Sequence, residues 1–519
     1  MGEQSRTKNS IINAITAIAG QGISLVISFI TRIVFIQQLG NVYLGVNSLF
    51  TNIVGLLSLA ELGIGTSINY SLYKPLAERN IPKIKSLMNL YRKVYYIIGI
   101  TILLIGIAIT PFIDFFIKTS ESNSIPQLHF IFILFVINSA VSYFYSFKRA
   151  LIISDQKRYI ATIYRYIFFI IMNVVQIIIL LLSSDFVLYL ILALISTIGE
   201  NLCVSRKADQ MYPYLKEKNI ESLDQSDVQE IKKNTIALLF HKIGSSVVNS
   251  TDNILISKII GIVAVGVYSN YQLITNALNI VIAQLFMALT ASIGNLGVTE
   301  KVDKSEKVLY KVFFLNFWIV CIISTSIYST VDLLIKAWFG TNMILNETIL
   351  ICIVINFYLY QIRRTVMTYR DAYGLFWYDR YKALIEAIIN LIISITLGLK
   401  IGLAGILIGT IISTMLTSIW IEPYILFKYG FKQQAKKYFL NLLLYTCFTA
   451  VECIMCRFII KLMGLSGFLG FLIGVAICIL LVSISIAFWF YQTEEFKYFK
   501  NMITKIILFF KNESEKNNA

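Results

Sequence analysis

Leu39-Gly40-Asn41-Val42-Tyr43-Leu44-Gly45-Val46 and Ile260-Gly261-Ile262-Val263-Ala264-Val265-Gly266-Val267 are one phrase written twice, 221 positions apart (266 − 45). Each copy lies between two long apolar segments, and six hydrophobic segments separate one copy from the next. Two six-helix lobes of like orientation enclose a cleft that can open to either side of a bilayer. The repeat therefore predicts a membrane protein that moves something across.

Composition agrees. The chain is 57% hydrophobic and 14% charged, with a mean hydropathy of +0.73. A soluble protein of 519 residues could not bury that much apolar surface. The apolar runs are about 20 residues or longer, enough to span ~30 Å as helix, and they lack the alternation of barrel strands. The expected spans are 11–38, 42–72, 93–114, 126–148, 160–183, 186–204, 234–259, 263–293, 309–331, 347–370, 381–399, 402–422, 438–460 and 467–491. This predicts an all-α polytopic protein of about 14 transmembrane helices. The expected organisation is an N-lobe over 1–204, a linker over 205–233, a C-lobe over 234–430, a C-terminal helix pair over 431–491 and an amphipathic tail over 492–519. In the tail, Phe496, Phe499, Ile503, Ile507 and Phe510 share a helical face, which suits the inner membrane interface. The six prolines are placed in loops or at span ends, where a missing N–H does least harm. The start of the chain reads as an uncleaved first helix, because Gln21 interrupts the apolar run and no small-residue cleavage site follows.

Charge sets the expected orientation. With the N-terminus in the cytoplasm, Lys74, Arg79, Lys83, Lys85, Lys148, Arg149, Lys157, Lys304, Lys307, Arg370, Lys382, Lys428 and Lys436 all fall on the inner side. Of 45 Lys and Arg, the clear exceptions are Arg32, Lys118, Lys258, Lys336, Lys400, Arg457 and Lys461. This is the positive-inside pattern, and it persists to an expected cytoplasmic C-terminus. The net charge of +16 thus needs no nucleic-acid partner.

A charge inside the bilayer points to function, because it is costly to keep there. Arg32 lies in the first span, and its repeat mate is Asn253, beside Asp252. It reads either as an anion-binding Arg working against an acidic neighbour or as a structural Arg–Asp pair. Arg363 and Arg364 lie in the tenth span and diverge by about 100°, so at most one faces the cleft. A guanidinium fork suits pyrophosphate; interface anchoring is the alternative. Arg149 is placed at the inner mouth. Glu61, in Leu59-Ala60-Glu61-Leu62-Gly63-Ile64-Gly65, could hold a coupling cation, as could Asp252. It could equally be a buried acid bonded to a hydroxyl. Glu386, Glu422 and Glu452 are weaker candidates. His129 and His241 read as packed or interfacial residues. The seven cysteines read as small core residues, and Cys453-x-x-Cys456 lacks the second pair a zinc site needs. No metal, cofactor or catalytic group is expected.

The chain resembles the Wzx-type polysaccharide flippases of the multidrug/oligosaccharidyl-lipid/polysaccharide exporter superfamily. The residues that carry this are Arg32, the Leu39–Val46 phrase, Leu57-Ser58-Leu59-Ala60-Glu61-Leu62-Gly63-Ile64-Gly65, Tyr73-Lys74-Pro75-Leu76-Ala77, Ile153-Ser154-Asp155-Gln156-Lys157 and Tyr369-Arg370-Asp371-Ala372-Tyr373-Gly374. Lys382-Ala383-Leu384-Ile385-Glu386-Ala387 and Gly405-Ile406-Leu407-Ile408-Gly409-Thr410 add to it. The resemblance implies a non-enzymatic protein of the bacterial cytoplasmic membrane that flips undecaprenyl-pyrophosphate-linked oligosaccharide by alternating access, for capsule, O-antigen or a related polymer. It implies a cationic cavity, with Arg32 the most direct match, and energy from a Na+ or H+ gradient or the membrane potential. Membrane lipids, a polysaccharide polymerase and chain-length machinery are the implied partners. No Walker-type nucleotide loop is present in the sequence.

Two other cargoes fit the same architecture. A multidrug antiporter of the same superfamily should have an acidic cleft, and a lipid II flippase a basic one. A membrane glycan polymerase or acyltransferase fits less well, since the outer loops expected around 115–125 and 332–346 are short and hold no His/Asp/Glu cluster.

Overall fold

The computed structural model describes residues 3–61, 63–118, 125–217, 220, 221, 223–225, 227–229, 231, 232, 235, 250–300, 302–375 and 378–501. No strand occurs among the described residues. Twelve helices among them are long and apolar enough to cross a membrane. Helices satisfy every backbone group within the segment, which is what hydrocarbon demands.

The difference between twelve and the expected fourteen has a local cause. The spans at 11–38 and 42–72 are joined as α1 (Glu3–Leu57), kinked at Gly40 (φ 75°, ψ −174°). The run then tightens into a 3-10 turn (Ser58–Glu61) and resumes as α2 (Ile64–Glu78) after Gly63 in the left-handed region (φ 80°). The span at 234–259 is helical over 250–259 and otherwise lies mostly outside the described residues, as does His241.

The chain forms two compact units, Met1–Ser269 with Ala383–Ile406, and Asn270–Lys382 with Leu407–Ala519. In the first unit α1 and α2 are followed by α3 (Ile81–Ile109), α4 (Leu128–Ser154), α5 (Arg158–Ser183) and α6 (Phe186–Met211). α3 packs on α4, α4 on α6, and α1 on α5. Ile68, Leu72, Tyr91, Tyr95, Ile102, Tyr143 and Leu151 form a core among α2, α3 and α4. Loops that the charge pattern assigns to one side gather at one end of this unit. Lys83 pairs with Asp227 (2.9 Å), Lys85 with Glu217 (2.9 Å) and Lys148 with Asp209 (2.7 Å). Glu217 and Asp227 of the linker are thereby tied to the start of α3. Nearby, Tyr212 donates to Asp155 (2.7 Å), and burial together with that carboxylate pushes the Tyr214 phenol up to about 12.

The repeat is structural as well as sequential. Gly261, the mate of Gly40, also has positive φ (140°), and both positions use the conformational freedom of glycine to turn the chain. The Gly261 N–H reaches back to the Ile256 carbonyl (3.0 Å) and closes the 250–259 helix. α7 (Ile262–Thr299) starts there. The second glycine of each copy sits against the other copy. A Cβ on Gly45 would lie 2.0 Å from the Ile262 carbonyl oxygen, and one on Gly266 would lie 2.4 Å from the Asn41 carbonyl oxygen. Ile262 is the mate of Asn41 (262 − 221), so the contact is reciprocal, as a pseudo-two-fold axis requires.

The second unit contains α8 (Val302–Phe339), α9 (Glu347–Ile362) and α10 (Arg364–Ala372). Between α10 and the next helix of this unit, α11 (Lys382–Ile401) belongs largely to the first unit, and α12 (Leu403–Leu416) bridges the division in sequence. α13 (Ser418–Ile425), α14 (Lys436–Leu462) and α15 (Gly467–Phe490) complete the second unit. α14 and α15 pack along α8, where Phe317 stacks on Tyr445 (4.1 Å, 7°). Residues 494–501 are helical. Their Phe496 and Phe499 join the α8 core, beside Trp318 and Phe314. These two residues of the expected apolar face are thus packed on protein; Ile503, Ile507 and Phe510 lie outside the described residues.

Two prolines depart from the expected placement. Pro75 is inside α2 and Pro423 inside α13. Membrane helices tolerate such breaks because neighbouring groups and local π or 3-10 turns take up the freed carbonyls. A π turn, Leu426–Phe431, follows directly on α13.

Candidate functional site

The seven basic residues outside the positive-inside pattern are a natural starting point, since each needs a reason to be where it is. Lys118 donates to the Ile260 carbonyl (3.3 Å), and Lys258 lies over the Phe115 ring (4.6 Å). Arg457 of α14 pairs with Asp332 (3.2 Å) and Glu347 (3.6 Å) and caps the Tyr328 carbonyl (2.7 Å); Lys461 adds a longer contact to Glu347 (3.8 Å). The charges of these four are compensated or bound locally, while Lys336 and Lys400 are exposed.

Arg32 is different. It is half-buried on α1, one half of a long apolar helix. Its Nη1 donates to Ser269 Oγ (3.0 Å), and no carboxylate pairs with it among the described residues. Ser269 is buried, and its own hydroxyl proton goes to the Gly266 carbonyl (2.7 Å). The neighbouring residue Thr31 donates to Asn173 Oδ1 (2.8 Å), which ties α1 to α5. Tyr189 stands beside Arg32, with its ring edge-on to Phe35 (5.2 Å), and its carbonyl accepts from Gln176 (2.9 Å). A guanidinium carries five N–H donors, and contacts among the described residues take up one of them. The expected partner Asp252 is buried in the 250–259 helix, as is Asn253, and neither forms an ion pair with Arg32. The structural Arg–Asp pair is thus absent among the described residues.

Glu61 closes the 3-10 turn after α1 and mirrors Arg32 in sign. Tyr95 donates to its Oε1 (2.5 Å) and Tyr143 to its Oε2 (3.4 Å), while Tyr91 donates to Tyr95 (3.2 Å). Gly65 makes the cage possible, because a Cβ there would lie 2.3 Å from the Tyr95 hydroxyl and 2.9 Å from Glu61 Oε1. No cation pairs with Glu61 among the described residues. A carboxylate held by donated phenol hydrogens keeps oxygen lone pairs that a small cation could share.

The remaining expected site residues are compensated. Arg149 of α4 donates to Glu200 (2.5 Å) and Asn201 (3.1 Å). Arg363, at the α9–α10 junction, grips Glu422 of α13 through both arms, Nε to Oε2 (3.0 Å) and Nη2 to Oε1 (2.8 Å). Lys382 also donates to Glu422, and Arg370 approaches it at 3.6 Å. Arg370 in turn holds Asp379 (2.5 Å) and Asp371 (2.8 Å). Glu422 is fully buried and Arg370 and Lys382 nearly so. Among the described residues three cations face three carboxylates, so the charges balance there. Breaking such a buried pair from one side leaves a lone charge without solvent, the costly case. Arg363 and Arg149 therefore lack the spare charge that anion binding needs, and Glu422 is a partner to cations already present. The next residue, Arg364, diverges as expected. It lies over the Tyr360 ring (5.1 Å) and donates weakly to Gln361 Oε1 (3.4 Å), with no carboxylate partner among the described residues.

Ser269 was not singled out in the sequence. The signal was available: extending the repeat two residues past Val46 and Val267 aligns Ser48 with Ser269. The tyrosine cage was not visible either, because Tyr91, Tyr95 and Tyr143 belong to two other helices.

Twelve membrane-length helices, a duplicated glycine phrase and an intramembrane guanidinium without a counter-charge define a multi-pass membrane protein with a transporter's construction. Residues 10–291 match the family described as polysaccharide biosynthesis protein, more than half of the chain. The chain belongs to that family. Its fold is similar to that of the lipid II flippase MurJ in an inward closed conformation (TM-score 0.64, 15% identity, covering 93% of this chain and 99% of that one). It is also similar to an inward-facing multidrug resistance MATE family transporter of the MOP superfamily (TM-score 0.55, 14% identity, 79% and 98% covered). A third similar structure is a point mutant of the Vibrio cholerae MATE transporter VcmN (TM-score 0.54, 14% identity, 83% and 100% covered). No curated protein matches at the sequence level.

Proposed function

We propose that the protein is a flippase that carries an anionic, lipid-linked cargo across the bacterial cytoplasmic membrane, with both termini on the cytoplasmic side. The cargo is an oligosaccharide on a polyprenyl pyrophosphate, undecaprenyl in the resemblance noted above. One observation carries this reading: Arg32 is a guanidinium inside a membrane helix, met by the Ser269 hydroxyl and by no carboxylate among the described residues. Keeping such a charge in hydrocarbon costs about 2.5–3.5 kcal/mol on insertion scales. A pyrophosphate would supply the counter-charge and match the planar donor fork. The polyprenyl tail would stay in lipid while the headgroup passes through the cleft. Arg364, with no carboxylate partner among the described residues, is proposed as a further cargo-binding residue. Glu61, in its tyrosine cage, is proposed to take up the coupling proton or cation. Membership of a polysaccharide biosynthesis family supports a glycan cargo.

The MurJ-like fold supports a second reading, lipid II as cargo, with the same pyrophosphate chemistry at Arg32. The multidrug reading is weaker, because an organic cation would meet a guanidinium. The test is complementation of a strain lacking its polysaccharide flippase. Arg32→Ala should abolish polymer export at normal membrane abundance. Normal export at normal abundance would refute the role given to Arg32, and rescue of a strain lacking its lipid II flippase would select the second cargo.

A further inference from the structure

Ser269 presents its oxygen to Arg32 in a fixed sense. Its single proton is committed to the Gly266 carbonyl (2.7 Å), so what faces Arg32 Nη1 at 3.0 Å is a lone pair. To the guanidinium, that oxygen resembles one oxygen of a phosphate. The partner is also on the other copy of the repeat: Arg32 precedes the first phrase, and Ser269 follows the second. Where the copies touch, they do so backbone on backbone, at Gly45 on Ile262 and Gly266 on Asn41. Ser269 is three residues past Gly266, on the second copy of the repeat, and Arg32 is on the segment that leads into the first. Any rearrangement of one copy against the other would carry Ser269 relative to Arg32.

We propose that Ser269 is a placeholder for the cargo: it occupies Arg32 in this arrangement of the repeat copies and is displaced when an anionic headgroup binds. Ser269 is a positioning residue, acting through Arg32. This rests on the reading of Arg32 as the anion site. The placeholder limits affinity, which suits a carrier that must release its load, and it keeps the guanidinium partnered when no cargo is present.

The test is the affinity of the full-length protein in detergent for farnesyl pyrophosphate, with farnesol as the control for tail binding. Ser269→Ala should bind farnesyl pyrophosphate about three- to tenfold tighter than wild type, the factor equivalent to one ordinary hydrogen bond. A purely structural serine would give unchanged or weaker binding. Ser269→Asp, a permanent carboxylate partner, should bind at least about tenfold weaker; if that variant fails to accumulate, Ser269→Ala decides alone. Arg32→Gln should lose binding, and adding Ser269→Ala to it should restore none. Unchanged or weaker binding by Ser269→Ala, with binding still lost in Arg32→Gln, overturns the placeholder and leaves the Arg32 reading intact. Wild-type binding by Arg32→Gln overturns both.

Discussion

Two sites of the molecule treat charge in opposite ways: Arg32 and Glu61 of the first unit are left open, and the cluster around Glu422 in the second is closed. Arg32 lies in a membrane helix and Glu61 in the 3-10 turn that follows it, with hydroxyl and phenol partners and no opposite charge among the described residues. Arg363, Arg370 and Lys382 meet Glu422, Asp371 and Asp379 in a cluster whose charges balance among the described residues. Both arrangements put ions where ions are costly. Compensation marks a structural use, since nothing is left to bind. An open charge is stabilised when a ligand arrives, so the lack of a partner, more than the presence of the charge, is what points to function.

Glu422→Gln should give the largest stability effect. It leaves three cations facing two carboxylates in a buried cluster, and a loss of about 3–5 kcal/mol is expected, measured as a drop in the thermal midpoint of the purified protein or in membrane abundance. An unchanged midpoint would remove the contrast between the two sites. Gly45→Ala comes next. Its methyl would collide with the Ile262 backbone, for an expected loss of about 1–3 kcal/mol in the same assay. A neutral outcome would mean that the repeat copies are not seated on one another as described. Glu61→Gln should lower stability by about 1 kcal/mol, because the amide oxygen still accepts from Tyr95. Export by this variant should stop responding to collapse of the proton or sodium gradient. A response like that of wild type would take Glu61 out of coupling.

The sequence showed most of this fold and part of its chemistry. Two glycine phrases 221 positions apart revealed the duplication, and both copies indeed turn at a positive-φ glycine, Gly40 and Gly261. Arg32 stood out because one charge in a long apolar run is a local signal. What stayed hidden was whether each charge had a partner, which depends on packing between helices. Arg363 and Glu422 are 59 positions apart, and nothing in their flanking residues says that they meet, so Arg363 read as a cargo residue. Arg149 and Glu200, 51 apart, misled in the same way. Glu61 gave the carboxylate but not its cage, since Tyr143 is 82 positions distant. The helix break at Ser58–Gly63 falls inside the expected span 42–72, because the apolar run continues past it on both sides.

Arg32→Leu separates stability from transport most sharply. Removing an uncompensated charge from a membrane helix should leave the thermal midpoint unchanged or raise it. In reconstituted vesicles, wild-type protein should move a disaccharide on a short polyprenyl pyrophosphate between leaflets, and Arg32→Leu should do so no faster than protein-free vesicles. Wild-type rates in Arg32→Leu would contradict a role for this guanidinium in carrying the cargo.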